Sequence, residues 1–412
     1  SARTTRCRPR SPEVVLRAAM RPVAKVRAML HSFTRLAGSL IAVIAVSAVA
    51  APLAGAKPAT VKVMSRNLDL GADLSPGLKA TNLQELVNGA GVILAEVDAN
   101  DFRIRAKGLA AEILKTNPDL VGLQEVALWR TEPCDKSPLP PAATTVRYDY
   151  LKLLLAQLNK GRNRYRAVVV KPEFDFEVWV NLDGNEQTAG PGCPLGSEIN
   201  VRLTMRDAIL ARRGRVRTSK PKSGTFDTLL QARPGGVAVD IIRGWTSVDA
   251  QVGDRRLRFV NTHLESFDNN PSNHTNRGPD VGNGEIRAVQ AKELVAKGGP
   301  ATGKLPVVLL GDINSDTKTE VKPGDALAYR ALLKAGFVER STARPFGCCL
   351  QGGSLKESGG AKLGDLDHIV DHVMTDTPRK VRLVSSTVTG RKPVNGYWSS
   401  DHAGLFSALR VR

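Results

Sequence analysis

The stretch Leu305-Pro-Val-Val-Leu-Leu-Gly-Asp312-Ile313-Asn314 is an apolar run that ends abruptly in polar groups. Four consecutive aliphatic residues, Val307 to Leu310, suit a strand buried on both faces. Gly311 then releases the chain into Asp312 and Asn314. The same grammar recurs on either side. Residues 61–68 alternate apolar and polar and stop at Asn67, with Asp69 two residues on. The helix breaker Asn117-Pro118-Asp119 precedes a short buried strand, Leu120-Val-Gly-Leu-Gln-Glu125, which delivers Glu125. A strand at 257–264 delivers His263, and the C-terminal region supplies Asp367, Asp401 and His402.

Between these mouths the periodicity predicts helices over 101–115, 148–159 and 285–297. In the first, Phe102, Ala106, Leu109, Ala110 and Ile113 share one face. Further strands are expected at 165–171, 174–181, 201–211, 237–249, 366–374, 381–387 and 402–411. Strand-to-strand successions interrupt the βαβ rhythm, so helices covering paired sheets fit better than one parallel sheet. Gly/Pro/Asn-rich inserts at 130–145, 183–198, 268–284 and 346–364 read as surface loops. No repeat or linker divides the region, and residues 57–412 are expected to form a single domain.

The chain has 412 residues, 42% of them hydrophobic, which excludes chain-wide disorder, a collagen-like rod or a multi-spanning membrane protein. Fifty-nine Lys and Arg against 40 Asp and Glu give +19. Part of that excess is local: residues 1–35 are strongly basic, Leu36 to Ala56 are uncharged, and Ala54-Gly55-Ala56 resembles a cleavage site. This is the layout of an export signal, to be removed near residue 56. The alternative is a membrane anchor over 36–56, close to the roughly 20 residues a spanning helix needs. Met29 offers a start site, with residues 1–28 as upstream coding or a long basic leader. Without 1–56 the remaining 356 residues carry 50 basic and 39 acidic side chains, net +11. Such a surface suits anionic partners, namely nucleic acid, phospholipid head groups or polyphosphates. Short basic runs, Arg212-Arg213-Gly-Arg215-Val-Arg217 and Arg255-Arg256-Leu-Arg258, read as solvated hairpins.

Cys134, Cys193, Cys348 and Cys349 make an even set in an exported chain, where disulfides persist. All three pairings are open. A bond between neighbours Cys348 and Cys349 departs from the usual disulfide geometry, so crossed pairs to Cys134 and Cys193 are favoured.

Taken singly, the polar strand ends have ordinary explanations. Asn67 can start a turn, Glu125 can cap a helix, and a lone His263 fits a hydrogen-bonded core. Together they supply the hard oxygen ligands that magnesium prefers, with two imidazoles for proton transfer near neutral pH. The ordered set Ser65-Arg66-Asn67, Leu123-Gln124-Glu125, Asn261-Thr262-His263-Leu264-Glu265, Leu310-Gly311-Asp312-Ile313-Asn314, Leu366-Asp367-His368 and Ser399-Ser400-Asp401-His402 resembles the endonuclease/exonuclease/phosphatase superfamily. The motifs run in family order across 61–412.

The resemblance implies a four-layer α/β/β/α sandwich of two mixed sheets flanked by helices, with the site at one edge. It further implies an enzyme, a hydrolase of phosphoric esters using Mg²⁺, with Mn²⁺ or Ca²⁺ as alternatives. By position, Asn67 and Glu125 resemble the metal-proximal pair, Asp69 an additional acidic ligand, and Asp401 a metal-site or supporting carboxylate. His402 resembles the water-activating base, with Asp367 orienting its ring. Asp312 and Asn314 resemble the pair that positions nucleophile and phosphate, and His263 the group that meets developing charge. Arg66 departs from the aromatic residue many members carry before the Asn, which bears on packing rather than chemistry. Arg206 is a candidate phosphate clamp. Asp371 reads as a strand-face residue, and His274, His368 and His372 as structural or exposed.

A phosphodiester substrate is expected, nucleic acid ahead of phospholipid, acted on by a monomer. The alternatives are a sphingomyelinase or phospholipase C type of activity, an inositol-phosphate phosphoesterase, or a non-catalytic binding module. Bilayer engagement would fall to Phe174, Phe176, Trp179, Tyr397 and Trp398, although alternating Phe174 and Phe176 also fit the core face of a strand.

Overall fold

The computed structural model describes residues 58–134, 137–139, 141–267, 284–316, 324–342 and 344–412. The expected export segment 1–56, most of the 268–284 insert and His274 lie outside the described residues.

The strands are β1 (Ala59–Asn67), β2 (Leu120–Gln124), β3 (Leu128–Pro133), β4 (Thr145–Asp149), β5 (Tyr165–Val180), β6 (Ile199–Arg212), β7 (Val216–Thr225) and β8 (Leu230–Ala232). They continue with β9 (Val239–Ile241), β10 (Gly244–Val252), β11 (Arg255–His263), β12 (Val307–Asp312), β13 (Val338–Glu339), β14 (Asp371–Thr375), β15 (Val381–Thr389) and β16 (Gly404–Val411). The helices are α1 (Ser75–Leu78), α2 (Leu83–Ala99), α3 (Phe102–Thr116), α4 (Tyr150–Leu158), α5 (Glu285–Val295) and α6 (Leu327–Lys334). Among the described residues no helix is long and apolar enough to cross a membrane.

One sheet runs β15-β16-β1-β2-β6-β3-β4, with β5 also on β6, and the other runs β13-β14-β12-β11-β10-β7. Both are mixed, because β1 with β2 and β11 with β12 pair in parallel while their other neighbours run antiparallel. Three apolar clusters separate four layers. Phe102, Leu109 and Ile113 of α3 and Leu86 and Leu94 of α2 pack on Met64, Val121 and Leu123. Val61, Val63 and Leu120 meet Phe259, Val308 and Leu310 between the sheets. Ala291 and Leu294 of α5 and Leu332 of α6 cover Val260, Val307 and Leu309. The strand period of two sends Val61 and Val63 to one face and Met64 to the other, which builds adjacent layers from one strand. This is the expected α/β/β/α sandwich.

Local signals explain most boundaries. Asp101 caps α3 by accepting from Arg103 N at 3.0 Å, and Asn117 ends it in the left-handed region (φ 51°) ahead of Pro118. The seventeen-residue α2 escapes a periodicity reading because Gly89 and Gly91 interrupt it. Gly91 is there for close packing: a Cβ would fall 1.8 Å from the Asn181 carbonyl oxygen. Gly122 does the same between the sheets, where a Cβ would sit 2.4 Å from both Asn261 Oδ1 and Leu310 Cδ1. The strands expected at 165–171 and 174–181 are one strand, β5, irregular between Pro172 and Asp175. The one expected at 237–249 divides into β9 and β10. The 130–145 insert contributes the end of β3 to the sheet, and the strand expected from 366 begins only at Asp371.

The cysteines also depart from expectation. Cys134 pairs with Cys193 at a Cα separation of 5.3 Å, and Cys348 pairs with Cys349. Cys134 follows β3, whereas Cys348 is fixed by backbone bonds to Asp367 and His368, so the two pairs belong to different parts of the fold.

Arg66 is fully buried on the helix side of β1. Its Nη2 donates to Glu112 Oε1 of α3 at 3.1 Å, and its Nη1 to the carbonyl oxygens of Asn67 (3.0 Å) and His402 (2.5 Å). Glu112 also accepts from Thr389 at 2.8 Å. The departure at Arg66 thus replaces ring packing with an ion pair that ties two site segments together. Removing one partner strands a buried charge, so Glu112→Leu is expected to lower unfolding free energy by about 3–5 kcal/mol. Urea denaturation checks this, and a loss under about 1 kcal/mol would contradict the structural role.

Candidate active site

Sheet register assembles the catalytic row. Gly244 of β10 pairs with His263 of β11, His263 with Asp312 of β12, and Asp312 with Asp371 of β14. The other sheet brings Asn67, at the end of β1, beside Gln124 of β2, after which comes Glu125. Asp401 and His402 arrive just before β16. Asp69, Glu125, His263, Asp312, Asn314, Asp401 and His402 line one open cleft of about 710 Å³. Asp69, Glu125 and Asn314 hold positive φ values of 56°, 53° and 49°, an unfavourable conformation that side chains at a site are often held in by their surroundings.

Asp312 is the hub. Its Oδ2 accepts from Asn67 Nδ2 at 3.0 Å and lies 3.6 Å from His263 Nε2 and 3.7 Å from His402 Nε2. Its Oδ1 accepts from the Asn314 amide at 3.1 Å. Burial pushes the Asp312 carboxyl up to about 6, the His402 charge opposing and Asp371 adding to the rise.

The two histidines are biased in opposite directions. His402 donates from Nδ1 to Asp371 Oδ2 at 2.7 Å, and Asp371 Oδ1 accepts from Ser65 at 3.2 Å. Burial disfavours the His402 imidazolium, but Asp401, Asp371 and Asp312 together outweigh it and hold the ring well above the ordinary histidine value. His263 is driven well below that value by burial, then by Arg243 and His402. Arg243 Nη1 donates to His263 Nδ1 at 3.1 Å. A guanidinium can only donate, so the neutral ring carries its proton on Nε2, the nitrogen nearer Asp312. Arg243 is itself buried against Glu265, 3.5 Å away.

Acidic groups crowd the opposite wall. Asn67 Nδ2 donates to Glu125 Oε1 at 3.1 Å, Leu70 N to Glu125 Oε2 at 2.8 Å, and Asp69 N to Asn67 Oδ1 at 2.8 Å. Asp401 is pushed up to about 7 by burial and by the charges of Asp69, Glu125 and Asp312, with His402 opposing. Three mutually repelling carboxyls and an amide oxygen form a donor set that suits a hard divalent cation. Asn67, Asp69, Glu125 and Asp401 are the residues that could hold it.

Two expectations are corrected. Asp367 does not orient His402: its side chain is 72% exposed and pairs with His368 Nδ1 at 2.5 Å. The partner is Asp371, four residues on, because β14 begins there, opposite Asp312. Arg206 is not a phosphate clamp. Its guanidinium is spent on the carbonyl oxygens of Val126 (2.9 Å) and Ala127 (3.2 Å) and on Asp149 (2.7 Å), bracing the loop after Glu125. His372 is structural, bound to Glu339 at 2.6 Å and Ser315 O at 2.9 Å. Arg243 was not singled out from sequence; an Arg between the apolar pair Ile241-Ile242 and a strand is the signal that marks it.

Two imidazoles about one buried aspartate, beside a nest of carboxyls at the edge of paired sheets, define a phosphoesterase. The chain belongs to the Endonuclease/Exonuclease/phosphatase family, whose model matches residues 82–402. No curated protein sequence matches it. Among solved structures it is similar to a Bacteroides thetaiotaomicron endonuclease/exonuclease/phosphatase family protein, with 13% identity, TM-score 0.48, and 87% of this chain and 97% of that one covered. It is also similar to the B. thetaiotaomicron mannosyl-6-phosphatase, with 15% identity, TM-score 0.46, and 85% and 99% covered. A third similar structure is D. rerio TDP2 complexed with single-strand DNA product, with 14% identity, TM-score 0.45, and 85% and 99% covered.

The two aspartates make a direct comparison. Asp371→Asn is expected to lower phosphoester turnover on the order of 10²–10⁴-fold, while Asp367→Asn stays within roughly a factor of two. Steady-state hydrolysis by the two folded variants checks the assignment, and the reverse ranking would overturn it.

Proposed function

We propose that the protein is an exported, Mg²⁺-dependent phosphodiesterase with nucleic acid as its preferred substrate. The opposite bias of His263 and His402 about Asp312 carries the catalytic part. Hydrolysis of a phosphodiester requires a proton acceptor for water and a donor for charge growing on phosphoryl or leaving oxygens. His402 is the acceptor: Asp371 engages Nδ1, leaving Nε2 to receive the water proton, and stabilises the imidazolium that forms. His263 is the donor, its Nε2 proton fixed in place by Arg243 at the opposite nitrogen. Asp312 and Asn314 align water and phosphate between them.

Asn67, Asp69, Glu125 and Asp401 would hold the magnesium ion, which when bound neutralises non-bridging oxygens and stabilises the leaving alkoxide. His402 must lose its proton before it can act, so activity rises with pH along the limb set by its elevated pKa.

The excess of basic residues beyond 56 supports a polyanionic substrate, whose binding then weakens with salt. Four of the five aromatic residues that could favour a bilayer are engaged within the fold instead. Trp398 is buried in a local core, Tyr397 donates to Ala99 O at 3.3 Å, and Phe174 and Phe176 stack at 6.0 Å while packing on the main core. The basic leader and uncharged stretch within 1–56 support export.

The reading is tested with bis-p-nitrophenyl phosphate in Mg²⁺, with and without EDTA, followed by plasmid DNA, RNA and sphingomyelin in the same buffer. Cleavage that EDTA abolishes, with DNA or RNA degraded and sphingomyelin intact, is expected. Release of choline phosphate without a nick in DNA would overturn the substrate assignment, and EDTA-insensitive turnover would overturn the metal.

A further inference from the structure

Cys348 and Cys349 take part in none of the steps above, yet both sulfurs lie against the proposed base. Cys348 Sγ is 3.7 Å and Cys349 Sγ 3.6 Å from His402 Nε2. Cys348 is buried, while Cys349 is partly exposed and lines the cleft. The ligand-capable atoms of Cys349, Asp401 and His402 lie within 4.8 Å of one another. The backbone holds this segment in place independently of the sulfur–sulfur bond. Cys348 N donates to His368 O at 3.1 Å, Asp367 N and His368 N donate to Cys348 O at 2.9 and 3.0 Å, and Leu350 N donates to Asp401 O at 2.9 Å.

Two sulfurs, an imidazole and a carboxylate make a donor set for a soft or borderline cation in tetrahedral geometry, not for magnesium. While the sulfurs are bonded to each other they are poor ligands. A dithiol reductant changes that: two electrons pass from it to the protein disulfide, leaving two cysteine thiols and one oxidised reductant. Binding of a divalent cation then releases the two thiol protons and, from the imidazolium form of His402, the Nε2 proton.

We propose that the reduced Cys348–Cys349 pair forms, with His402, a binding site for a soft divalent cation of the zinc or cadmium kind. Occupation ties up the His402 Nε2 lone pair and stops hydrolysis; that second clause rests on the functional reading above, whereas the binding does not.

The test titrates cadmium ion alone into full-length Cys7→Ser protein, reduced with a dithiol that is then removed under anaerobic conditions. The thiolate-to-cadmium charge-transfer absorbance is expected to saturate at one ion per chain, and to be absent from the oxidised protein. It persists in Cys134→Ser/Cys193→Ser and is lost in Cys348→Ser/Cys349→Ser. His402→Gln, with its fold checked by circular dichroism, binds on the order of tenfold or more weakly. In the unsubstituted ring, the Nε2 nitrogen resonance moves on loading. Undiminished uptake by Cys348→Ser/Cys349→Ser, or a His402 resonance indifferent to cadmium, would overturn the site. Hydrolysis in Mg²⁺ that falls over the same cadmium range supports the inhibitory clause, and hydrolysis unaffected at full loading overturns it. A chain that loads cadmium as described but hydrolyses nothing supports the site while overturning the hydrolytic reading.

Discussion

The structure depends on the register of three neighbouring strands. Parallel pairing of β11 with β12 sets His263 beside Asp312, and antiparallel pairing of β12 with β14 sets Asp312 beside Asp371. A slip of one residue in either pair would turn one of these side chains to the opposite face. The apolar bodies of the strands guard against that slip, since Val308 and Leu310 must face the inter-sheet core while Val307 and Leu309 face α5 and α6. The hydrophobic patterning that builds the sandwich therefore also aims the polar groups at its edge.

Electrostatics then divides labour between two chemically identical rings. Both are buried, and burial alone would leave both neutral. What separates them is their second nitrogen: His402 Nδ1 meets a carboxylate, and His263 Nδ1 meets a guanidinium. One environment favours taking up a proton and the other fixes a neutral donor. Asp312, close to both, joins the two into a single unit. The buried Arg66–Glu112 pair supports this from the helix side by binding the carbonyl oxygens of Asn67 and His402.

Much of this was legible in the sequence because it is written locally. An apolar strand with a polar end can be read directly, which located Asn67, Glu125, His263 and Asp312 and implied paired sheets. Four-residue ambiguities could not be resolved that way. The segment Leu366-Asp367-His368-Ile-Val-Asp371-His372 offers two Asp-His pairs, and only pairing with β12 selects the second. Arg243 and Arg206 show the same limit. Arg243 immediately precedes β10 and Arg206 lies inside β6, and whether such a group meets a ring nitrogen or braces a loop is decided by partners 20 and 57–80 residues away. Helix α2 was obscured for a related reason, its glycines being required by backbone neighbours such as Asn181 rather than by the helix itself.

The central claim is that two histidines on one aspartate have their proton affinities shifted in opposite directions, and nitrogen NMR of the imidazoles measures this most directly. In the metal-free protein, His263 should stay neutral, with its proton on Nε2, to a pH well below that of an ordinary histidine. His402 should keep its imidazolium proton to a pH well above that of an ordinary histidine. Two rings titrating together near the ordinary histidine value, or a His263 protonated on Nδ1, would contradict the account.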